Sequence, residues 1–135
     1  CSFLLLLSFF FFPSCSFLLV ISALVFTHTR KDTGETAKAL LHIATSLGLP
    51  ERFLPGQGQD RSTLEILRQE SEECQDHTLR QTIPCGIGLH HAGLSRSDRD
   101  RVERLFRDKR LNVLCSTGMF ELFRLLNHLF IESFV

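Results

Sequence analysis

Between positions 24 and 117 the spacing of apolar residues changes period several times, and each change marks an element. Leu24–His28 is a short apolar run of strand length. Asp32 and Glu35 then have the spacing of a capping box. Ala37, Leu40, Leu41, Ala44 and Leu47 fall on one face of the helix that should follow. Gly48 and Pro50 end it. Phe53–Gln59 (FLPGQGQ) reads as a loop. Ser62 and Glu65 open a second helix, with Leu64, Ile66 and Leu67 near its start. Acidic residues crowd the other end of this helix and oppose its dipole, so its last turn is expected to fray. Thr78–Ile83 predicts a short helix before Pro84.

The clearest pattern is Gly86–Thr117 (GIGLHHAGLSRSDRDRVERLFRDKRLNVLCST). Gly86–His91 alternates small and apolar residues as a strand would and runs into the turn signal Ala92-Gly93. Ser95 and Asp98 have capping-box spacing, which starts a helix near Arg96. Val102, Leu105 and Phe106 form its apolar stripe, and Leu111–Cys115 is apolar enough for a buried strand. Two strands joined by a helix of this length form a right-handed parallel βαβ unit. The prediction is an α/β fold with an incomplete parallel sheet: three strands lie between Leu24 and Thr117, leaving open edges.

In such units ligands sit where strands end and helices begin. Gly93 lets a ligand approach the backbone, and the helix after Ser95 offers unpaired amides and a positive dipole end that suit a phosphate. His90 and His91 flank that place. Many βαβ loops bind nothing, so this pattern by itself leaves a plain α/β binding domain open.

With 135 residues the chain holds one domain at most. Its formal charge is zero, so no global basic signal points to nucleic acid. The charge is nevertheless uneven: Arg96–Arg110 holds seven basic and four acidic residues, Asp60–Asp76 two basic and six acidic. Both stretches read as solvated helix faces. The five cysteines, at positions 1, 15, 74, 85 and 115, form no C-x-x-C pair and read as reduced thiols of a cytosolic or nuclear protein. Cys85, Cys115 and the His90-His91 pair do not make a convincing zinc site, because successive residues of a strand point to opposite faces. No metal ligand is assigned, and Cys115 reads as a small core residue.

H-H-A-G-L-S from His90, D-R-x-x-V-E-x-L-F from Asp98 and x-V-L-C-S-T ending at Thr117 together resemble the second RecA-like domain of the Ski-type superfamily II DExH-box helicases, in the branch of spliceosomal and signal-cointegrator members. Val25-Phe26-Thr27-His28-Thr29-Arg30-Lys31-Asp32-Thr33 resembles the motif that opens the same domain, in the same order and at about the same spacing. The resemblance implies that Thr29 and Arg30 grip backbone phosphate, and that His90, His91, Ala92 and Gly93 form a second strand-contacting loop. It makes Ser116 and Thr117 the first residues of the motif that joins ATP to nucleic acid. The partners it implies are an RNA or DNA strand backbone and the first RecA-like domain. The intact protein would use ATP and Mg, couple hydrolysis to 3′-to-5′ movement, and be nuclear.

The chain departs from the family after Thr117, where Gly118-Met119-Phe120 stands in place of the family's continuation. It also has no G-x-x-x-x-G-K-[ST] loop, no D-E-x-H and no Q-x-x-G-R-x-G-R. Gly86-Ile87-Gly88 lacks the third glycine of a dinucleotide fingerprint. Catalytic residues are therefore none, and no cofactor is expected for the 135 residues alone.

Residues 1–23 and 118–135 stand apart from the partial domain 24–117. The first charged residue is Arg30, and Cys1–Phe26 is almost pure Phe, Leu, Ser and Val. One reading is a transmembrane anchor, long enough to span ~30 Å of hydrocarbon and kinked at Pro13; that makes the chain a membrane-anchored α/β interaction module. A signal peptide fits less well, without an initiating Met or a basic start. The preferred reading is translated intron. Phe, Leu, Ser and Pro all have all-pyrimidine codons, as in the tract before a splice acceptor, and Gly-Met-Phe can be encoded by a sequence containing a splice donor.

Overall fold

The computed structural model describes residues 23–48 and 61–118. The apolar segment up to position 22, the FLPGQGQ loop, Pro50 and the tail beyond Gly118 lie outside the described residues. In order, the elements are β1 (Ala23–Thr27), α1 (Arg30–Ser46), α2 (Arg61–Glu72), α3 (His77–Thr82), a single 3₁₀ turn (Ile83–Cys85), β2 (Ile87–His90), α4 (Arg96–Arg107) and β3 (Val113–Thr117). The three strands form one parallel sheet in the order β1-β3-β2. This is the α/β architecture expected of an incomplete RecA-like sheet, and β2-α4-β3 is the expected parallel crossover. Among the described residues no helix is long and apolar enough to cross a membrane.

Several boundaries differ from the expected ones, for local reasons. Helix α1 is capped one turn earlier than the Asp32–Glu35 spacing suggests. Thr29 is extended and its hydroxyl accepts the Asp32 amide at 3.1 Å, so the working box begins at Thr29. Gly86 takes φ 84, which a side chain resists, so β2 begins only at Ile87. The Gly86 carbonyl accepts the amides of Asn112 and Val113, and this pins the start of β3 at Val113, two residues later than the apolar run begins. Leu111 still reaches the core from the loop. At the end of α1, Gly48 takes φ 67, as a helix stop requires. The far end of the predicted stripe is not covered by the described residues: Leu47 is 68% exposed, while Ala37 and Ala44 are buried.

The core is one cluster built from all layers. Leu89, Leu114 and Cys115 come from the sheet, Val102 and Leu105 from α4, Leu67 from α2, and Leu79 and Ile83 from α3 and its 3₁₀ turn. Central β3, paired on both sides, is buried from Val113 to Ser116, and β2 is buried throughout, while β1 is buried only at Val25. Burial pushes the Cys115 thiol up to about 12 and the Cys74 thiol up to about 11, so neither is a reactive thiolate near neutral pH.

Gly88 fills a special place in this core. A methyl group on it would lie 3.0 Å from Leu111 Cδ1, 3.0 Å from Val102 Cγ1 and 3.2 Å from Leu114 Cδ1. These neighbours are held on three sides, so the space cannot open cheaply. Gly88→Ala is expected to destabilise the fold by about 1–3 kcal/mol. Chemical denaturation of the variant checks this, and a stability equal to the parent chain's would mean that α4 can lift off the sheet freely.

Candidate nucleic-acid interface

Because all three strands run parallel, their C-terminal ends meet at one edge of the sheet. Strand register pairs Thr27 with Thr117 and His90 with Ser116, so the residues that follow each strand emerge side by side. Thr29 and Arg30 follow β1, His91–Gly93 follow β2, and Thr117–Gly118 end β3. The three motifs, far apart in sequence, are thus gathered along one rim, the place where ligands bind in open α/β sheets.

The β1–α1 turn is held by hydroxyls. Thr33 is fully buried, and its Oγ1 donates to the Thr29 carbonyl at 3.0 Å and lies 2.6 Å from the Thr27 hydroxyl. With Thr33 donating to the carbonyl, Thr27 donates to Thr33. This chain ties the strand end to the first helical turn and leaves Arg30 at the first helical position, exposed. Among the described residues no carboxylate pairs with it. The Thr29 hydroxyl serves as the helix cap through an oxygen lone pair, which leaves its O–H proton to donate.

The loop after β2 splits its two histidines between inside and outside. His90 is 1% exposed, and its Nε2 lies 2.8 Å from Glu103 Oε1 on α4. Its side chain is a strut between sheet and helix, removed from the rim. His91 points the other way. Its Nδ1 accepts the Gly93 amide at 3.1 Å, closing a small turn. Burial, opposed by Asp76 and reinforced by Arg30 and His90, holds His91 below the usual imidazole range. Ala92 and Gly93 are exposed.

Arg30 and this loop touch, although β1 and β2 are not neighbours in the sheet. A methyl group on Gly93 would lie 3.1 Å from Arg30 Cδ and 3.1 Å from His91 Nδ1. Gly93 does not adopt a positive φ; its missing side chain is needed for room, since the Arg30 stem crosses over it. Ser116 is buried and Thr117 half-buried, so of this pair only Thr117 reaches the rim.

The N-terminus of α4 is less open to an anion than its sequence suggests. Ser95 Oγ accepts the Asp98 amide at 3.1 Å, the expected half of the capping box. The other half is not made. Asp98, 1% exposed, turns away and accepts the amides of Gln75 and Asp76 at 3.1 Å each. A carboxylate therefore already sits against the positive end of the helix.

The uneven charge of α2 and α4, expected to form two solvated faces, partly closes into a single contact. Arg101, with a side chain 12% exposed, donates through Nε to Glu70 at 2.7 Å and through Nη2 to Glu73 at 2.6 Å. Arg104 donates to Glu70 at 2.7 Å. The acidic end of α2, expected to fray, is helical through Glu72 and clamped by the arginines of α4. Glu70, Glu103 and Asp98 hold these elements together, and no spacing announced the long-range partners they meet. The one available signal was that adjacent segments carried opposite charge.

The segment with this geometry is of the DExH-box helicase class: the chain is homologous to helicases of the Ski type that its motifs resemble. It is 42% identical over 95 residues to the human U5 small nuclear ribonucleoprotein 200 kDa helicase. It is 44% identical over 96 residues to the activating signal cointegrator 1 complex subunit 3-like protein of Dictyostelium discoideum. To the DExH-box ATP-dependent RNA helicase DExH12 of Arabidopsis thaliana it is 38% identical over 95 residues. Each match takes in 70% of this chain, which spans about 4% of the length of each relative. No protein-family model matches the chain.

Proposed function

We propose that these residues supply part of the strand-gripping surface of the second motor domain of an ATP-dependent RNA or DNA helicase. Arg30 provides the charge, and the His91–Gly93 turn and Thr117 provide the polar rim beside it. His90 and Ser116, both buried, act by holding the rim in place. Contacts of this kind go to phosphate and carry position without sequence. The observation that carries the reading is the convergence of three separate motifs on one sheet edge, with the Arg30 stem lying against Gly93. Homology with a protein named as an RNA helicase supports a nucleic-acid strand as the ligand of that edge.

In the intact protein ATP and Mg would bind against the first RecA-like domain. The 135 residues contain neither the phosphate loop nor the arginine finger, so hydrolysis is not theirs to perform alone. A nuclear location follows from the same reading, since several relatives are named as small nuclear ribonucleoprotein helicases. The membrane-anchored alternative rests on residues outside the described ones.

Arg30→Ala is the direct test. In the full 135-residue chain it is expected to weaken binding of labelled single-stranded oligonucleotides about equally on unrelated sequences. It should also lower the slope of log affinity against log salt by about one unit. Fluorescence anisotropy across a salt series reads both. If affinity and slope are unchanged, Arg30 is an ordinary surface residue and the gripping surface is not here.

A further inference from the structure

The rim pairs one permanent cation with a histidine whose two nitrogens are in different situations, and this deepens the strand-gripping reading on which it rests. Nδ1 of His91 accepts the Gly93 amide at 3.1 Å. A nitrogen that accepts carries no proton, so the imidazole proton must sit on Nε2. Nε2 has no partner among the described residues and is not shut away from solvent. A protonated ring would point Nδ1–H at the Gly93 N–H, which has nowhere else to turn inside so short a loop. The charged groups around the ring are Arg30 from α1, Asp76 at the cap of α3 and His90 from β2. Arg30, beside the same glycine, already supplies the positive charge at this place.

The geometry points to His91 as a neutral, two-ended residue: Nδ1 latches the turn onto Gly93, and Nε2–H is the uncharged hydrogen-bond donor offered to a phosphate oxygen next to Arg30. The site then recognises a phosphodiester with one cation and one neutral donor. Such a contact should release about one counterion rather than two. No proton is taken up on binding, because His91 is neutral before and after.

The two ends can be separated by substitution. Asparagine places its carbonyl oxygen near the position of Nδ1, so His91→Asn keeps the latch and loses the donor. Glutamine places its amide nitrogen near Nε2, so His91→Gln keeps the donor and loses the latch. Three readouts on the full chain test the proposal, with single-stranded oligonucleotides of unrelated sequence as the probe. Nitrogen NMR of the free chain should show the Nε2–H tautomer. Wild-type affinity should stay flat between about pH 6.5 and pH 8. His91→Asn should weaken binding about three- to tenfold with the salt slope unchanged, while His91→Gln should retain more affinity than His91→Asn.

An Nδ1–H tautomer would overturn the proposal. So would an affinity that climbs as pH falls in the wild type but not in His91→Asn, because it would mean that His91 binds as a cation and is charged by the ligand. A lower salt slope in His91→Asn has the same meaning. If Arg30→Ala weakens binding but His91→Asn does not, the donor role fails while the gripping surface stands. If neither variant matters, both fail.

Discussion

Asp98→Ala is expected to cost the fold about 2–4 kcal/mol. The carboxylate is 1% exposed. It crosses from the first turn of α4 to the chain between α2 and α3, where it accepts the Gln75 and Asp76 amides. Alanine would leave both amides without their acceptor and remove a favourable charge from the helix start. Asp76 is in turn the cap of α3, accepting the Thr78 amide at 2.8 Å and the Leu79 amide at 3.1 Å. Loss of Asp98 should therefore loosen α3 as well. Asp98→Asn should recover only some of the loss, since its NH₂ end would face one of the amides. Chemical denaturation of the three proteins measures the series. An alanine variant within about 0.5 kcal/mol of the parent would mean that water replaces the carboxylate and that α4 is not anchored through it.

The second large effect concerns binding. Gly93→Val should weaken strand binding by about tenfold or more while costing under about 1 kcal/mol of stability, because the position is exposed. Its first side-chain carbon would meet the Arg30 stem and the His91 ring at once. Arg30 can swing aside cheaply, but then it no longer lies over the turn. His91 can move only by giving up the Gly93 amide. The substitution thus displaces both proposed phosphate contacts without touching the core. Since it acts partly through Arg30, the double variant with Arg30→Ala should be less damaging than the two losses added together. Full additivity in anisotropy titrations would show that Arg30 and Gly93 serve the ligand independently, contrary to their contact.

The elements and their order are legible in the amino-acid sequence. Capping residues and apolar period are local signals. They place α4 at Arg96, the stop of α1 at Gly48 and three strands in a parallel α/β arrangement. Arg30, His91, Gly93 and Thr117, which the motifs single out, emerge on one rim because parallel strands end on the same side. Where local reading slips, a longer-range partner is responsible. Strand β3 starts at Val113 because the Gly86 carbonyl takes its amide. Helix α2 keeps its acidic end because Arg101 and Arg104 come to it from a helix some thirty residues away.

The side-chain roles at the site belong to that second kind. A sequence cannot say which of two adjacent histidines turns inward. That depends on Glu103 standing on α4 to meet His90, which leaves His91 on the rim. Nor can it say whether Gly93 is needed for its backbone angle or for its empty space. Only the crossing of Arg30 from the helix after β1, a strand that is not β2's neighbour, shows it to be space. Periodicity and caps act over a few residues, and the chain determines them by itself. Which nitrogen is free, which carboxylate is buried and which glycine lies under another side chain are decided by groups brought together only when the sheet closes around β3.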